Sequence, residues 1–160
     1  QGDCYAGGIG LVAACDMVVA SASAGFCLSE VRLGLIPATI SPYVIRAMGE
    51  RQARRYFLTA ERFDAQEAKR IGLVHEVADE MQLDHEVEKF THALLSCSPH
   101  AMDEAKRLIR DVSYAPIDHE LIADTVRRIA DIRSSEQGKE GVQAFLQKRK
   151  PSWLVDITHD

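Results

Sequence analysis

The sequence has no apolar run that reaches the roughly 18 residues a membrane-spanning helix needs. Its longest candidate, residues 9–24, is interrupted by Asp16. It also has no excess of positive charge. The formal net charge of −5 argues against nucleic acid as the main partner, since a phosphate-binding surface favours net positive charge. The four cysteines, Cys4, Cys15, Cys27 and Cys97, show no C-x-x-C pairing and stand mostly in apolar surroundings. They are expected to be buried thiols of a reducing, cytoplasmic compartment rather than disulfides or metal ligands. No secretory leader pattern opens the chain, although it starts at Gln1 without a Met and a preceding segment could carry one. Internal repeats and low-complexity tracts are absent too.

What is present fits an ordinary globular chain: 160 residues, 46% hydrophobic and 27% charged, enough for one domain or a domain with an appendage. Texture divides it into two parts, residues 1–78 with strands and short helices, and residues 79–160 with helix after helix. In the first part, residues 1–6 read as the end of a strand and Gly7-Gly8 as a tight turn. Residues 9–15 read as a short helix, apolar on most sides and hence buried. Strands are expected at residues 17–20, 25–28 and 73–77, and helices at residues 41–48, 50–59 and 65–71. Asp64 followed by Glu67 is a capping-box pattern, and Gly72 ends the helix it opens. In the second part, 3.6-residue stripes run through Leu83, Val87, Phe90 and Leu94, then Ala101, Ala105, Leu108 and Val112. Further stripes join Leu121, Ile122, Thr125, Ile129 and Ile132, and finally Val142, Phe145 and Leu146. Such a helical arm carries more apolar stripe than a thin strand layer covers, so it must pack on a further domain or another subunit.

Two places could carry chemistry. Glycines at a strand-to-helix junction let a ligand approach the backbone, and the free N–H groups of a helix start favour developing negative charge. Gly7 and Gly8 meet that description, or they are simply a turn. Glu30 follows an apolar stretch, and a carboxylate so placed suits proton transfer near neutral pH. The alternative is a surface Glu capping the next turn. Asp16 reads as a helix-ending residue, and the Arg51, Arg54, Arg55 cluster as a solvated helix face. The six histidines, at 75, 85, 92, 100, 119 and 159, have no metal-ligand spacing. No serine sits in a G-x-S-x-G elbow, and Gly7-Gly8 opens no phosphate loop.

Four segments together resemble one family. Gly7-Gly8-Ile9-Gly10-Leu11-Val12-Ala13-Ala14-Cys15-Asp16 is similar to a G-G-G-x-E-L-A-x-x-C-D helix. Phe26 to Pro37 is similar to F-x-x-P-E-x-x-L-G-x-x-P. Leu58-Thr59-Ala60 through Gly72-Leu73-Val74 is similar to L-T-G-x-x-x-x-A…G-L-V, and Glu140 to Arg149 to E-G-x-x-A-F-x-E-K-R. These are motifs of the enoyl-CoA hydratase/isomerase (crotonase) family, in the family's order and over nearly the whole chain. The resemblance implies an α/β fold, the C-terminal part of a stack of ββα units followed by a helical region that assembles homotrimers or dimers of trimers. It implies an acyl-CoA substrate, with coenzyme A entering as part of that substrate and no separate cofactor or metal. The Gly7 N–H would be one of two oxyanion donors and Glu30 the acid/base. Gly8, Pro37, Ala38 and Lys148 would line the acyl-CoA site, Lys148 approaching the nucleotide of a neighbouring subunit's coenzyme. The second oxyanion donor would come from an N-terminal half, so the 160-residue chain by itself is expected to be inactive.

Two departures bear on the reaction. Hydratases of the family carry a second glutamate where this chain has Gly10, and Pro37-Ala38-Thr39-Ile40-Ser41-Pro42 replaces the usual P-G-x-G-G-T. A single glutamate is the pattern of the isomerases. The runs 27–32, 37–44 and 59–63 nevertheless look most like bacterial methylglutaconyl-CoA hydratases, which serve leucine and branched-terpenoid breakdown. Both reactions stay open at this point.

Overall fold

The computed structural model describes residues 1–154. They fall into two compact units, the first ending at Lys89 and the second starting at Phe90. The first unit begins with strand β1 (Cys4–Tyr5), helix α1 (Gly7–Ala14) and strands β2 (Val19–Ser21) and β3 (Gly25–Cys27). A 3-10 turn (Glu30–Leu33) leads to helices α2 (Ser41–Met48) and α3 (Glu50–Thr59), then β4 (Phe63–Asp64), α4 (Ala65–Arg70) and β5 (Glu76–Ala78). Strand β1 pairs in parallel with β3, and β4 adds to the other edge of β3 antiparallel. Strands β2 and β5 form a separate parallel pair.

The core of this unit collects residues from every layer: Ile9 of α1, Phe26 and Leu28 at β3, Val44 and Met48 of α2, Tyr56 of α3, and Leu73 and Val74. Phe63 stacks on Phe26 and tilts against Tyr56, with ring centroids 5.6 and 4.2 Å apart. Helix ends follow local chemistry. The Asp64 carboxylate accepts the Glu67 N–H at 2.8 Å, as the capping pattern predicts. Glu67 does not return the favour to Asp64 in a closed box. It accepts the Tyr56 hydroxyl at 2.6 Å and a two-point pair from Arg70.

That arrangement has a pH consequence. Hydrogen bonds from Arg70 and then Tyr56 hold the Glu67 carboxyl down at about 2, against an ordinary value of 4.5. A depressed folded value means that the ionised form stabilises the fold above pH 4.5 and that this contribution is lost as pH falls towards 2. Thermal unfolding should therefore show a gap between the parent and Glu67→Gln that is full above pH 4.5 and closes on acidification. A constant gap would contradict the assignment.

Several expectations need correction. Gly7 and Gly8 are the first turn of α1 itself; the chain reverses at Ala6, which takes a positive φ of 46°. Helix α1 buries only Ile9 and Gly10 within the described residues, and Leu11 stands 74% exposed. Strand β2 starts later than its apolar run because the Val18 N–H and carbonyl are both taken by His75. Strand β5 starts at Glu76 rather than at 73, because the Leu73 and Val74 N–H groups return to the Ala68 carbonyl at the end of α4. Strand β4 is unforeseen: two residues are too short to show alternation. Of the thiols, Cys27 is buried and Cys4 half-buried, but Cys15 and Cys97 are exposed, each just past a helix end with its thiol donating back to a helix carbonyl, of Leu11 and Ala93.

Helix α5 (Leu83–Leu95) begins in the first unit, and α6 (Pro99–Val112), α7 (His119–Ser134) and α8 (Glu136–Leu146) make the second. Side-chain oxygens of Ser98, Asp118 and Ser135 accept the Ala101, Leu121 and Gly138 N–H groups, which fixes three helix starts where the sequence has cap residues. After α8 the chain is held by Glu140, which takes both terminal nitrogens of Arg149 and the Ser152 N–H. Of the expected stripes, Ile122, Ile129, Val142, Phe145 and Leu146 are exposed, and so are Ile109 and Val126, which lie off them.

Candidate active site

The site is built where two neighbouring strands end. Strands β1 and β3 run in the same direction, with Tyr5 opposite Cys27, so the residues that follow each of them leave the sheet at the same end. Ala6 joins the two exits, its N–H donating to the Cys27 carbonyl at 2.9 Å. Helix α1 starts immediately after Ala6 and the Glu30 turn starts three residues after Cys27. Residues 7 and 30, 23 positions apart in sequence, are thereby brought to adjacent exits of one sheet.

Ala6 is the strained link. Its φ of 46° and ψ of −119° suit glycine better than alanine, at a cost of roughly 1–3 kcal/mol for such a residue. The twist sets the plane of the peptide between Ala6 and Gly7, and hence the direction of the Gly7 N–H. The Ala6 carbonyl accepts the Ile9 N–H at 3.0 Å, so the helix holds that peptide from the other side. Gly7 and Gly8 occupy the first positions of α1, where N–H groups have no carbonyl behind them. A side chain at Gly7 would meet nothing within 4 Å, which leaves its backbone approachable.

Glu30 opens the 3-10 turn, and its backbone is over-determined. The Gly34 N–H and the Leu35 N–H both bond back to this turn, and Gly34 supplies the left-handed φ of 73° that ends it. Arg32 reaches across to the Ala60 carbonyl at 2.7 Å, a group that also accepts the Cys27 thiol at 3.2 Å. Ala60 presents that carbonyl because it caps α3 in a left-handed conformation. The side chain of Glu30 contrasts with this satisfied backbone. Among the described residues its Oε2 is a buried oxygen without a hydrogen-bond partner. Leaving such an atom unpaired costs roughly 1–3 kcal/mol or more for a charged group, and stable folds keep few of them.

The other expected residues are dispersed. Gly8 is half-buried in α1, Pro37 is buried in the turn before α2, and Ala38 beside it is exposed. Lys148 is exposed beyond α8 in the second unit, with a positive φ of 52°. The arginines of α3 line an open surface hollow with Arg70; Arg54 pairs with Glu50 and Arg55 with Glu61, as a solvated face does. His159 lies outside the described residues. Among those residues no group of three or more His, Cys, Asp or Glu could hold a metal. Two features of the site had no separate signal in the sequence: the strain at Ala6, and the packing of Ile40 onto Gly10, where a Cβ would stand 2.6 Å from the Ile40 Cβ.

Comparison with known proteins agrees with this architecture. The sequence model of the family described as Enoyl-CoA hydratase/isomerase matches residues 1–155. The enoyl-CoA hydratase ACTT6 of Alternaria alternata is 34% identical over 99% of this chain and 54% of its own length. The crystal structure of an enoyl-CoA hydratase from Shewanella pealeana superposes with a TM-score of 0.92 at 50% identity, over 96% of this chain and 57% of that one. A crystal structure from Legionella pneumophila, described as a putative enoyl-CoA hydratase/isomerase (crotonase), gives 0.90 at 46% identity, over 96% and 59%. The chain thus spans little more than half the length of these relatives.

Proposed function

Since the chain belongs to the enoyl-CoA hydratase/isomerase family and has its α/β crotonase fold, we propose that it supplies the acid/base half of an acyl-CoA hydro-lyase site. In this reading the substrate is a 2-enoyl thioester of coenzyme A, with the 3-methylglutaconyl thioester of leucine breakdown as the leading candidate. The observation that carries it is the unpartnered Glu30 oxygen, in the turn that follows β3, the strand paired with β1. A buried carboxylate oxygen with nothing to bond is a proton acceptor in need of a proton source, and water is one.

The chemistry follows from the two groups. Glu30 takes a proton from water as its oxygen bonds to C3 of the enoyl group. The electron pair of the C2–C3 double bond moves towards the thioester, and the carbonyl oxygen gains negative charge. The Gly7 N–H donates to that oxygen, and the start of α1 adds a favourable dipole. Glu30 then returns the proton to C2, which regenerates its carboxylate. Gly8, Pro37 and Ala38 would border the acyl-CoA path, and Lys148 would serve the nucleotide of a neighbouring subunit. The exposed stripes of the second unit fit assembly of a homotrimer.

One observation favours a second reading. Gly10 stands where a second carboxylate would be, and Ile40 fills that space. A lone base suffices to move a double bond between positions 3 and 2, as an enoyl-CoA isomerase does. Incubating the full-length gene product with 3-methylglutaconyl-CoA in heavy-oxygen water separates the two. The expected result is label in a 3-hydroxy product; an unlabelled product with a shifted double bond would give the isomerase reading the site. The isolated 160-residue chain is expected to be silent in the same assay, and turnover by it would contradict the need for a second oxyanion donor from outside.

A further inference from the structure

Helix α1 lacks a side chain at one buried position, and Ile40, the residue before α2, fills the gap. Gly10 is buried, and a Cβ on it would lie inside the Ile40 side chain, 2.6 Å from its Cβ and 3.6 Å from its Cα. Ile40 cannot simply withdraw. It precedes the first turn of α2, where its carbonyl accepts the Val44 N–H at 3.1 Å. The turn leading into it is tied by the Ser41 N–H to the Pro37 carbonyl at 3.0 Å and by the Ser41 hydroxyl to the Ala38 carbonyl at 2.9 Å. A β-branched residue in a fixed backbone has few rotamers to escape into. The smallest residue on one helix and a stiff aliphatic one just before the other therefore interlock.

Position 10 is one helical turn beyond Gly7 and on the same face, about 4.5 Å along the axis at ~1.5 Å per residue. The Ile40 side chain packs on α1 at Gly10, one turn on from Gly7, and it stays only partly buried where it meets the core. An aliphatic group there discriminates by shape rather than by hydrogen bonding, since a polar acyl substituent pressed against it would be left without partners.

We propose that Ile40 is a specificity-determining residue: held by Gly10, it presents an aliphatic wall to the acyl group and sets how much bulk at C3 the site accepts. The inference rests on the reading of Gly7 and Glu30 given above. One missing methylene in an apolar pocket changes discrimination by about 10–200-fold. In the full-length gene product, Ile40→Ala is expected to raise kcat/KM for a 3-methyl-branched enoyl-CoA, relative to its unbranched counterpart, by about tenfold, with a smaller shift in the same sense for Ile40→Val. Gly10→Ala should lower Tm, and adding Ile40→Ala to it should restore part of that loss. An unchanged ratio in both Ile40 variants makes the contact mere packing and overturns the proposal, as does a Gly10→Ala loss that Ile40→Ala does not relieve. Glu30→Gln measured alongside separates the two readings. If it is inactive while the ratio stays fixed, only the role of Ile40 fails; if it is fully active, the reaction assignment fails and takes this inference with it.

Discussion

Glu30→Gln in the full-length gene product is expected to lower kcat by about a thousandfold, within the roughly 10²–10⁴ that positioned acid/base groups contribute. The amide keeps the size and planarity of the carboxylate, so KM for the acyl-CoA should change little. What is lost is the ability to take a proton from water and return it to carbon. The same substitution should leave Tm unchanged or raise it. In the folded chain the Glu30 Oε2 is buried without a partner, so the fold gains no hydrogen bond through that atom that the amide would forfeit. Opposite signs in activity and stability mark a residue held in place for chemistry rather than for folding. The measurement is steady-state hydration beside thermal unfolding of the same preparation. Full activity, or a loss of activity that merely follows a large fall in Tm, would remove Glu30 from the catalytic role.

The strain borne around Glu30 explains why so much structure surrounds it. Its turn is closed by Gly34, tied through Arg32 to Ala60, and joined to the β1 exit through Ala6. Ala60 and Ala6 both hold positive φ values, a conformation L-residues avoid. Each therefore costs stability locally, and the packed cluster of Phe26, Leu28, Tyr56 and Phe63 behind them offsets it. Such expenditure next to an orphaned carboxylate is the expected pattern at a working site.

Much of this was legible in the sequence where the signal is local. Helices α2 and α3 lie where a glycine separates two periodic runs, and the caps at Asp64, Ser98 and Ser135 act on N–H groups three residues ahead. Glu30 and Gly7 stood out through motif spacing. What the sequence hid depends on pairing across distance. Strand β1 pairs with β3, while β2, between them in sequence, joins β5 instead. No periodicity announces that exchange, yet it is what puts the strand exits leading to residues 7 and 30 next to each other. The Gly10–Ile40 contact spans thirty positions; each residue stood out as a departure from the family's motifs, but nothing in the sequence paired them. The late starts of β2 and β5 have a similar origin, since backbone groups of Val18, Leu73 and Val74 are claimed by partners outside their own strands.

Removing one backbone N–H should have the second-largest effect. Gly7 is the first residue of α1, the helical position that best accepts proline, whose missing N–H breaks no helix hydrogen bond there. Gly7→Pro therefore deletes the proposed oxyanion donor with little cost to the helix. Loss of one such donor lowers kcat by about 10²–10³. Gly7→Ala is the control: it retains the N–H, and its methyl meets no atom of the chain within 4 Å. The expected order in kcat is parent, then Gly7→Ala, then Gly7→Pro far below, with KM little altered, because the donor acts on charge that develops only as the double bond opens. The strained Ala6 precedes the substituted position and proline restricts the residue before it, so Tm must be read for both variants. A Gly7→Pro protein that folds like its parent yet keeps its kcat would show that the start of α1 holds no developing charge, and that the thioester oxygen is stabilised by other groups.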